Sequence, residues 1–182
     1  GSYATSYIPT YGTSVTRNGE ESYANAQFNQ IGQTEGTIYV EFQIPEGYSG
    51  TDAHRFQLSD NTTNNWIFAS ISGGNDSRVY YRAGASTQID YNASDNLFTA
   101  GNTYKVAFAY KDGDSAYYVN GVQIQTWTSG LNAPTSELDV YMITGSSPTY
   151  TNSPQNMSNN VKQTMIFKAR LSNAELADLT TL

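Results

Sequence analysis

The chain has 182 residues, enough for one domain (1–182) that buries roughly two thirds of its unfolded surface without disulfide or metal staples. Nine Lys and Arg stand against sixteen Asp and Glu, a net charge of −7, and this excludes the clustered basic surface that phosphate-backbone binding needs, so no nucleic acid is expected as a partner. Cysteine is absent, which removes any disulfide framework, and no apolar run approaches the ~20 residues that cross a bilayer, so no membrane insertion is expected.

The first residues lack the basic and apolar regions of a signal peptide, and Gly1-Ser2 reads as a cloning remnant. Tyr3 to Arg17 holds the breakers Ile8-Pro9 and Tyr11-Gly12, so an irregular lead is expected before a short strand near Val15. Glu20 to Ile31 alternates weakly through Tyr23, Phe28 and Ile31. Gly36 to Pro45 is far clearer, with Ile38, Val40, Phe42 and Ile44 on one face and Tyr39, Glu41 and Gln43 on the other. After the loop Glu46 to Ala53, strands are expected at Arg55–Asp60, Trp66–Ser72, Ser77–Ala83 and Gln88–Asn92. In these, Ile67, Ala69, Ile71, Val79 and Tyr81 face inward, while Trp66, Phe68, Ser70, Arg78, Tyr80 and Arg82 fall on the opposite face.

Thr103 to Trp127 carries the clearest signal. Tyr104, Val106, Phe108 and Tyr110 alternate, Lys111-Asp112-Gly113-Asp114 reverses the chain, and Asn120-Gly121 reverses it again, both residues tolerating the positive φ of a type I′ turn. The result is a three-strand meander. Glu137 to Thr144 then sets Leu138, Val140 and Met142 against Asp139, Tyr141 and Ile143. A polar loop from Gly145 to Asn160 precedes a last strand, Val161–Lys168. Ser172 with Glu175 three residues later forms a capping box for a short terminal helix through Leu179. Many short strands, turns every ~8–12 residues and one late helix predict an all-β fold, an antiparallel two-sheet β-sandwich of the jelly-roll kind.

Three stretches, SYIPTYGTSVTR (Ser6 to Arg17), TYKVAFAYKDGDSAYYVNGVQI (Thr103 to Ile124) and KARLSNAELADLT (Lys168 to Thr180), give the chain its resemblance to concanavalin A-like, laminin-G-like jelly rolls of phage tail and head-fibre proteins and of carbohydrate-binding modules. The resemblance implies a glycan-binding domain on a virion surface or outside the cell, with oligomerisation in a parent fibre as one option. It supplies no residue-by-residue site motif. Relatives of this fold often carry calcium, for which Asp112 and Asp114 are weak candidates, since calcium wants six to eight oxygens and the pair also suits a plain turn. No cofactor is otherwise expected.

The residues themselves point to a binding face. Trp66 and Phe68 on one strand, beside Arg78, Tyr80 and Arg82 on the next, would let sugar C–H faces stack on rings while arginine forks take hydroxyls or an anionic group. The alternative is a face packed under a loop or a partner chain, its arginines lying over aromatic surface. Asp52 and His54, read as loop residues beside a sheet, are further ligand candidates, and so are Trp127 and Tyr141, read as neighbours. Catalysis fits less well. The chain lacks the E-x-D-x-x-E strand of glucanases of this fold and any G-x-S-x-G elbow. Tyr80 to Gln88 is similar to the Y-F-K-A-G-x-Y-x-Q strand of jelly-roll alginate lyases, but Ser86 stands where that family has its catalytic tyrosine. Gln123-Ile124-Gln125 stands where the family has Q-I-H. The sequence therefore leads to a non-catalytic module for a polysaccharide or cell-surface glycan, an anionic one in particular, with a lyase or glycosidase of the same fold and a ligand-free structural module as alternatives.

Overall fold

The computed structural model describes residues 22–25, 30–46, 54–72, 75–144 and 160–182. The expected strand near Val15, Asp52 and most of the polar loop after Thr144 lie outside them. Alternating side chains produce eleven strands among the described residues: β1 (Ser22–Asn25), β2 (Glu35–Gln43), β3 (His54–Ser59), β4 (Trp66–Ser72), β5 (Asp76–Ala83), β6 (Ser86–Asn92), β7 (Thr103–Lys111), β8 (Ser115–Val119), β9 (Val122–Trp127), β10 (Val140–Thr144) and β11 (Asn160–Phe167). One helix, α1 (Asn173–Thr180), follows.

The strands form two antiparallel sheets, one of six in the order β1-β10-β3-β4-β5-β6 and one of five in the order β11-β2-β7-β8-β9. Period-2 alternation gives each sheet an apolar inner face, and stacking the two faces removes both from water. Phe42, Val106, Phe108 and Tyr117 of the five-stranded sheet meet Phe56, Leu58, Ile67, Val79 and Tyr81 of the six-stranded sheet in one buried cluster. Phe42 lies 5.2 Å from Phe56 and Tyr81 lies 6.0 Å from Tyr110, ring to ring, so aromatic contacts bridge the layers.

The meander is as expected. Asn120 and Gly121 take φ of 49° and 80°, the pair of positive values that a type I′ turn demands. Its middle strand pairing places β7 at the centre of the five-stranded sheet, with β2 on its other side. Tyr110 closes the far end of β7. Its hydroxyl donates to the Gly32 carbonyl at 2.7 Å, and a Cβ on Gly36 would fall 2.4 Å from that same hydroxyl oxygen, so only glycine fits there.

The bounds of β3, β5, β6 and β11 shift by one or two residues from expectation, and β10 differs more. The strand predicted from Glu137 begins at Val140, with the Asp139 amide just before it donating to Ser59 O at 3.1 Å. Its register sets Tyr141 opposite Leu58 and Ile143 opposite Phe56, which turns both toward the sandwich interior. The helix starts and caps as predicted, with Ser172 Oγ accepting from the Glu175 amide and the Glu175 carboxylate accepting from the Ser172 amide. Its docking place is the new information. Leu176 drops onto the outer face of the five-stranded sheet, among Tyr39, Ala107, Ala109, Ala116 and Tyr118. No helix among the described residues is long and apolar enough to cross a membrane.

Candidate functional site

The outer face of the six-stranded sheet collects the side chains that alternation sends away from the core. Register sets them in rows across the sheet: Ser59, Trp66, Arg82 and Thr87 in one; Gln57, Phe68, Tyr80 and Asp90 in the next; Ser70, Arg78 and Asn92 in a third. Trp66 and Phe68 have ring centroids 4.8 Å apart, Trp66 meets Tyr80 edge-on at 5.4 Å, and Phe68 stacks on Tyr80 at 5.1 Å. Each distance lies in the range where aromatic pairs attract.

Hydrogen bonds hold this cluster in place. Trp66 Nε1 donates to Gln57 Oε1 at 2.7 Å, and Gln57 is fully buried. The Tyr80 and Thr87 hydroxyls share a bond at 2.8 Å. Phe68 is only 1% exposed, so its ring is the floor of the cluster, while Trp66 and Tyr80 keep part of their surface in solvent. A ligand reaching this face would meet Trp66 and Tyr80 first.

Two arginines bracket the rings. The Arg78 guanidinium carbon lies 5.6 Å from the Phe68 ring centroid, within cation–π reach, and Arg78 Nη2 pairs with Asp90 at 3.3 Å. Arg82 Nη2 donates to the Ala85 carbonyl at 3.0 Å, which ties it to the β5–β6 turn, where Gly84 and Ala85 both take positive φ. On each arginine the Nε is buried and has no hydrogen-bond partner, and the same is true of Ser70 Oγ, directly opposite Arg78. Unpartnered buried atoms are not particular to this face, since the core hydroxyl of Tyr117 is another.

The remaining sequence candidates lie elsewhere. His54 is the first residue of β3, opposite Ile71, rather than part of the preceding loop. Trp127 ends β9 in the five-stranded sheet and Tyr141 lies in β10 of the six-stranded sheet, so the two are not neighbours. Trp127 packs edge-on against Phe108 and Tyr91, each at 5.8 Å, and closes the side of the sandwich between the two sheets. Tyr141 turns into the core because its cross-strand partner Leu58 does, and burial pushes its phenol up to about 12.

Asp112 and Asp114 serve different partners. Asp112 Oδ1 accepts the Leu131 amide at 2.8 Å, and Asp114 pairs at 2.8 Å with Arg170, whose side chain is 7% exposed. No group of three or more His, Cys, Asp or Glu suited to a cation occurs among the described residues. The two carboxylates, committed to the Leu131 amide and to Arg170, do not fit a six-to-eight-oxygen calcium shell. The strongest carboxylate network is structural as well. Burial pushes the Asp60 carboxyl up, but hydrogen bonds from Ser136, Thr62 and Asn65 outweigh it and hold the group below its ordinary value, locking the β3–β4 turn to the segment before β10.

Ser70 is the member of the face that residue type alone does not announce. Its signal was positional, since it shares the outward set of β4 with Trp66 and Phe68. Asp90, the carboxylate partner of Arg78, needed the β5–β6 register to be found.

No family model matches the chain, and no curated sequence matches it. Solved structures do. The CBM40 of the Ruminococcus gnavus IT-sialidase superposes with a TM-score of 0.64 at 14% identity, over 82% of this chain and 84% of that one; it has also been solved bound to alpha2,3 and alpha2,6 sialyllactose. The leech intramolecular trans-sialidase gives 0.69 at 15% identity over 91% of this chain, which spans only 26% of that enzyme. A SAP-like pentraxin from Limulus polyphemus gives 0.56 at 12% identity, over 86% and 79%. At such identities the likeness is one of fold, and the fold is the concanavalin A-like jelly roll that the sequence predicted.

Proposed function

We propose that the protein is a non-catalytic glycan-binding module that uses the outer face of its six-stranded sheet. The observation that carries this reading is the ring cluster of Trp66, Phe68 and Tyr80, fixed by hydrogen bonds and bracketed by the partly exposed Arg78 and Arg82. Rigid, partly exposed rings beside polar forks suit a sugar, which offers an apolar C–H face and a rim of hydroxyls. The shared fold of a sialidase carbohydrate-binding module supports the same reading. A place on a virion fibre or in a secreted multi-modular protein belongs to the proposal.

Binding without turnover fits the residues better than lyase chemistry. Proton abstraction beside a uronate needs a base and an acid at one site. Ser86 opens β6 in one sheet, while Gln125 lies in β9 of the other, and neither side chain is a base.

The test is a glycan array with affinity electrophoresis, run on the parent and on Trp66→Ala. The parent should retain one or more polysaccharides without generating unsaturated ends, and Trp66→Ala should weaken retention about tenfold, equivalent to ~1.4 kcal/mol. An array on which nothing is retained would favour a purely structural module. New near-ultraviolet absorbance on a uronate polymer would overturn the non-catalytic reading.

A further inference from the structure

The accessible end of this face says which sugars it would select. Phe68 stacks on Tyr80 from the neighbouring strand, with ring planes 15° apart, so one side of the Tyr80 ring is taken. The other side looks toward β6, the last strand of its sheet. There register sets Asp90 directly opposite Tyr80, and the Tyr80 hydroxyl is anchored to Thr87 of the same strand at 2.8 Å. The groups on this shelf reach solvent. The Asp90 side chain is 50% exposed, that of Arg78 beside it is 29% exposed, and Thr87 and Asn92 are exposed. Arg78 Nη2 donates to Asp90 Oδ1 at 3.3 Å. A carboxylate accepts at roughly four lone-pair sites and a guanidinium donates through five N–H groups, so one shared bond leaves both with capacity at the solvent end.

Charge decides between the ligand classes. The outward positions of β5 and β6 hold two cations, Arg78 and Arg82, and two carboxylates, Asp76 and Asp90, so the shelf is balanced on a chain whose net charge is −7. An acidic sugar gains no net attraction there and meets the Asp90 carboxylate beside the Tyr80 ring. A hydroxyl suits the same place, since it can donate to that carboxylate or accept from Arg78.

Deepening the glycan-binding reading, on which it rests, we propose that Tyr80, Arg78 and Asp90 form a shelf for a neutral sugar ring with two adjacent hydroxyls. The C–H face of the sugar lies on the free side of Tyr80, one hydroxyl donates to Asp90, and its neighbour accepts from Arg78. Trp66, edge-on to Tyr80, offers its exposed part to a neighbouring sugar of a polymer. Asp90 is the residue that sets specificity, because it supplies the acceptor that a neutral sugar uses and the charge that turns an acidic one away. The arginines alone suggest an acidic glycan; the carboxylate beside Arg78 reverses that selection.

The test measures affinity of the full chain by calorimetry for five probes: a mannan, a glucan, a galactan, a polyuronate and a sulfated galactan. At least one of the three neutral polymers should bind about tenfold more tightly than either polyanion. Asp90→Asn should weaken that neutral probe about tenfold and tighten the polyuronate, a swap of preference that loss of structure does not produce. Tyr80→Ala should weaken every polymer that binds. Lys168→Gln, which removes an exposed positive charge from the chain beyond the other sheet, should leave all five unchanged. Added salt should spare neutral binding by the parent, a readout that needs no variant to fold.

A polyanion that binds the parent as tightly as the best neutral polymer, or more tightly, would overturn the neutral selection and leave glycan binding standing. An Asp90→Asn chain that keeps the parent's preference would remove Asp90 from recognition and sink the shelf. No binding of any probe would sink both readings together.

Discussion

The two outer faces of the sandwich began with the same problem and solve it differently. On the five-stranded sheet the outward positions of β7 and β8 include Ala107, Ala109 and Ala116, and their small side chains leave a trough that Leu176 of α1 fills. That face is shut by the chain itself. On the six-stranded sheet the outward positions carry Trp66, Phe68, Tyr80, Arg78 and Arg82, too large to admit a helix so closely, and three buried polar atoms there lack partners. On this second face Gln57, Ser59, Phe68 and Ser70 are buried as well, while Trp66, Arg78, Tyr80 and Arg82 keep part of their surface in solvent, so the two faces differ in what closes them and in what stays at the rim.

The largest break in this contrast is Leu176→Ala. Truncating that fully buried anchor should cost about 2–5 kcal/mol and lower the denaturant midpoint, while glycan affinity of the folded fraction stays at the parent value. A joint fall of stability and affinity would mean that the two faces are coupled.

An alkaline titration probes the layer between them. Burial pushes Tyr81 up to about 12, with the Asp112 charge adding to it, and burial pushes Tyr141 to the same range. Both phenols are therefore held neutral in the fold. Since the folded value lies above the ordinary value of 10.0, their contribution is fully present below pH ~10 and is lost as pH rises through ~12. Tyrosinate absorbance and circular dichroism should change together across that window. Ionisation of the buried set well before loss of structure would show that these phenols are not sealed.

The smallest expected effect belongs to Ala85→Gly. Ala85 sits at φ 64°, a left-handed conformation that costs an L-residue ~1 kcal/mol. Glycine should raise stability by up to that amount in thermal melts and leave binding unchanged, because the Ala85 carbonyl that holds Arg82 is backbone. A loss of affinity would place the turn's rigidity inside the recognition mechanism.

Much of the architecture was legible because alternation is a local property. β2 and β7 show their inner and outer faces residue by residue, and the Asn120-Gly121 turn and the Ser172–Glu175 box announce themselves from their own chemistry. The outward set of β4 and β5, and with it most of the candidate face, followed from the same parity. What stayed hidden depended on pairing at a distance. β10 reads Val-Tyr-Met-Ile, apolar on both faces, so only its register with β3 shows that Tyr141 and Ile143 point inward. Trp127 and Tyr141 looked adjacent only because sequence does not say which sheet a strand joins. The alanines of β7 and β8 were a readable clue to the helix trough, since small residues recur where a strand facing solvent would favour larger polar ones. The partnerless Ser70 Oγ was beyond reach, for a missing hydrogen bond has no signature in composition.

The pairing of β2 with β11 has a kinetic consequence. Thr37 lies opposite Phe167, and Ser22 opposite Ile143, so each sheet is completed by strands that leave the ribosome long after their partners. The meander β7–β9 can form from local contacts at once, whereas β2 keeps an open edge and the alanine trough stays bare until the last strand and helix arrive. Folding should thus start in the middle of the chain and finish at its C-terminal end, and a chain halted before residue 160 would present β2 as a template for pairing with its neighbours.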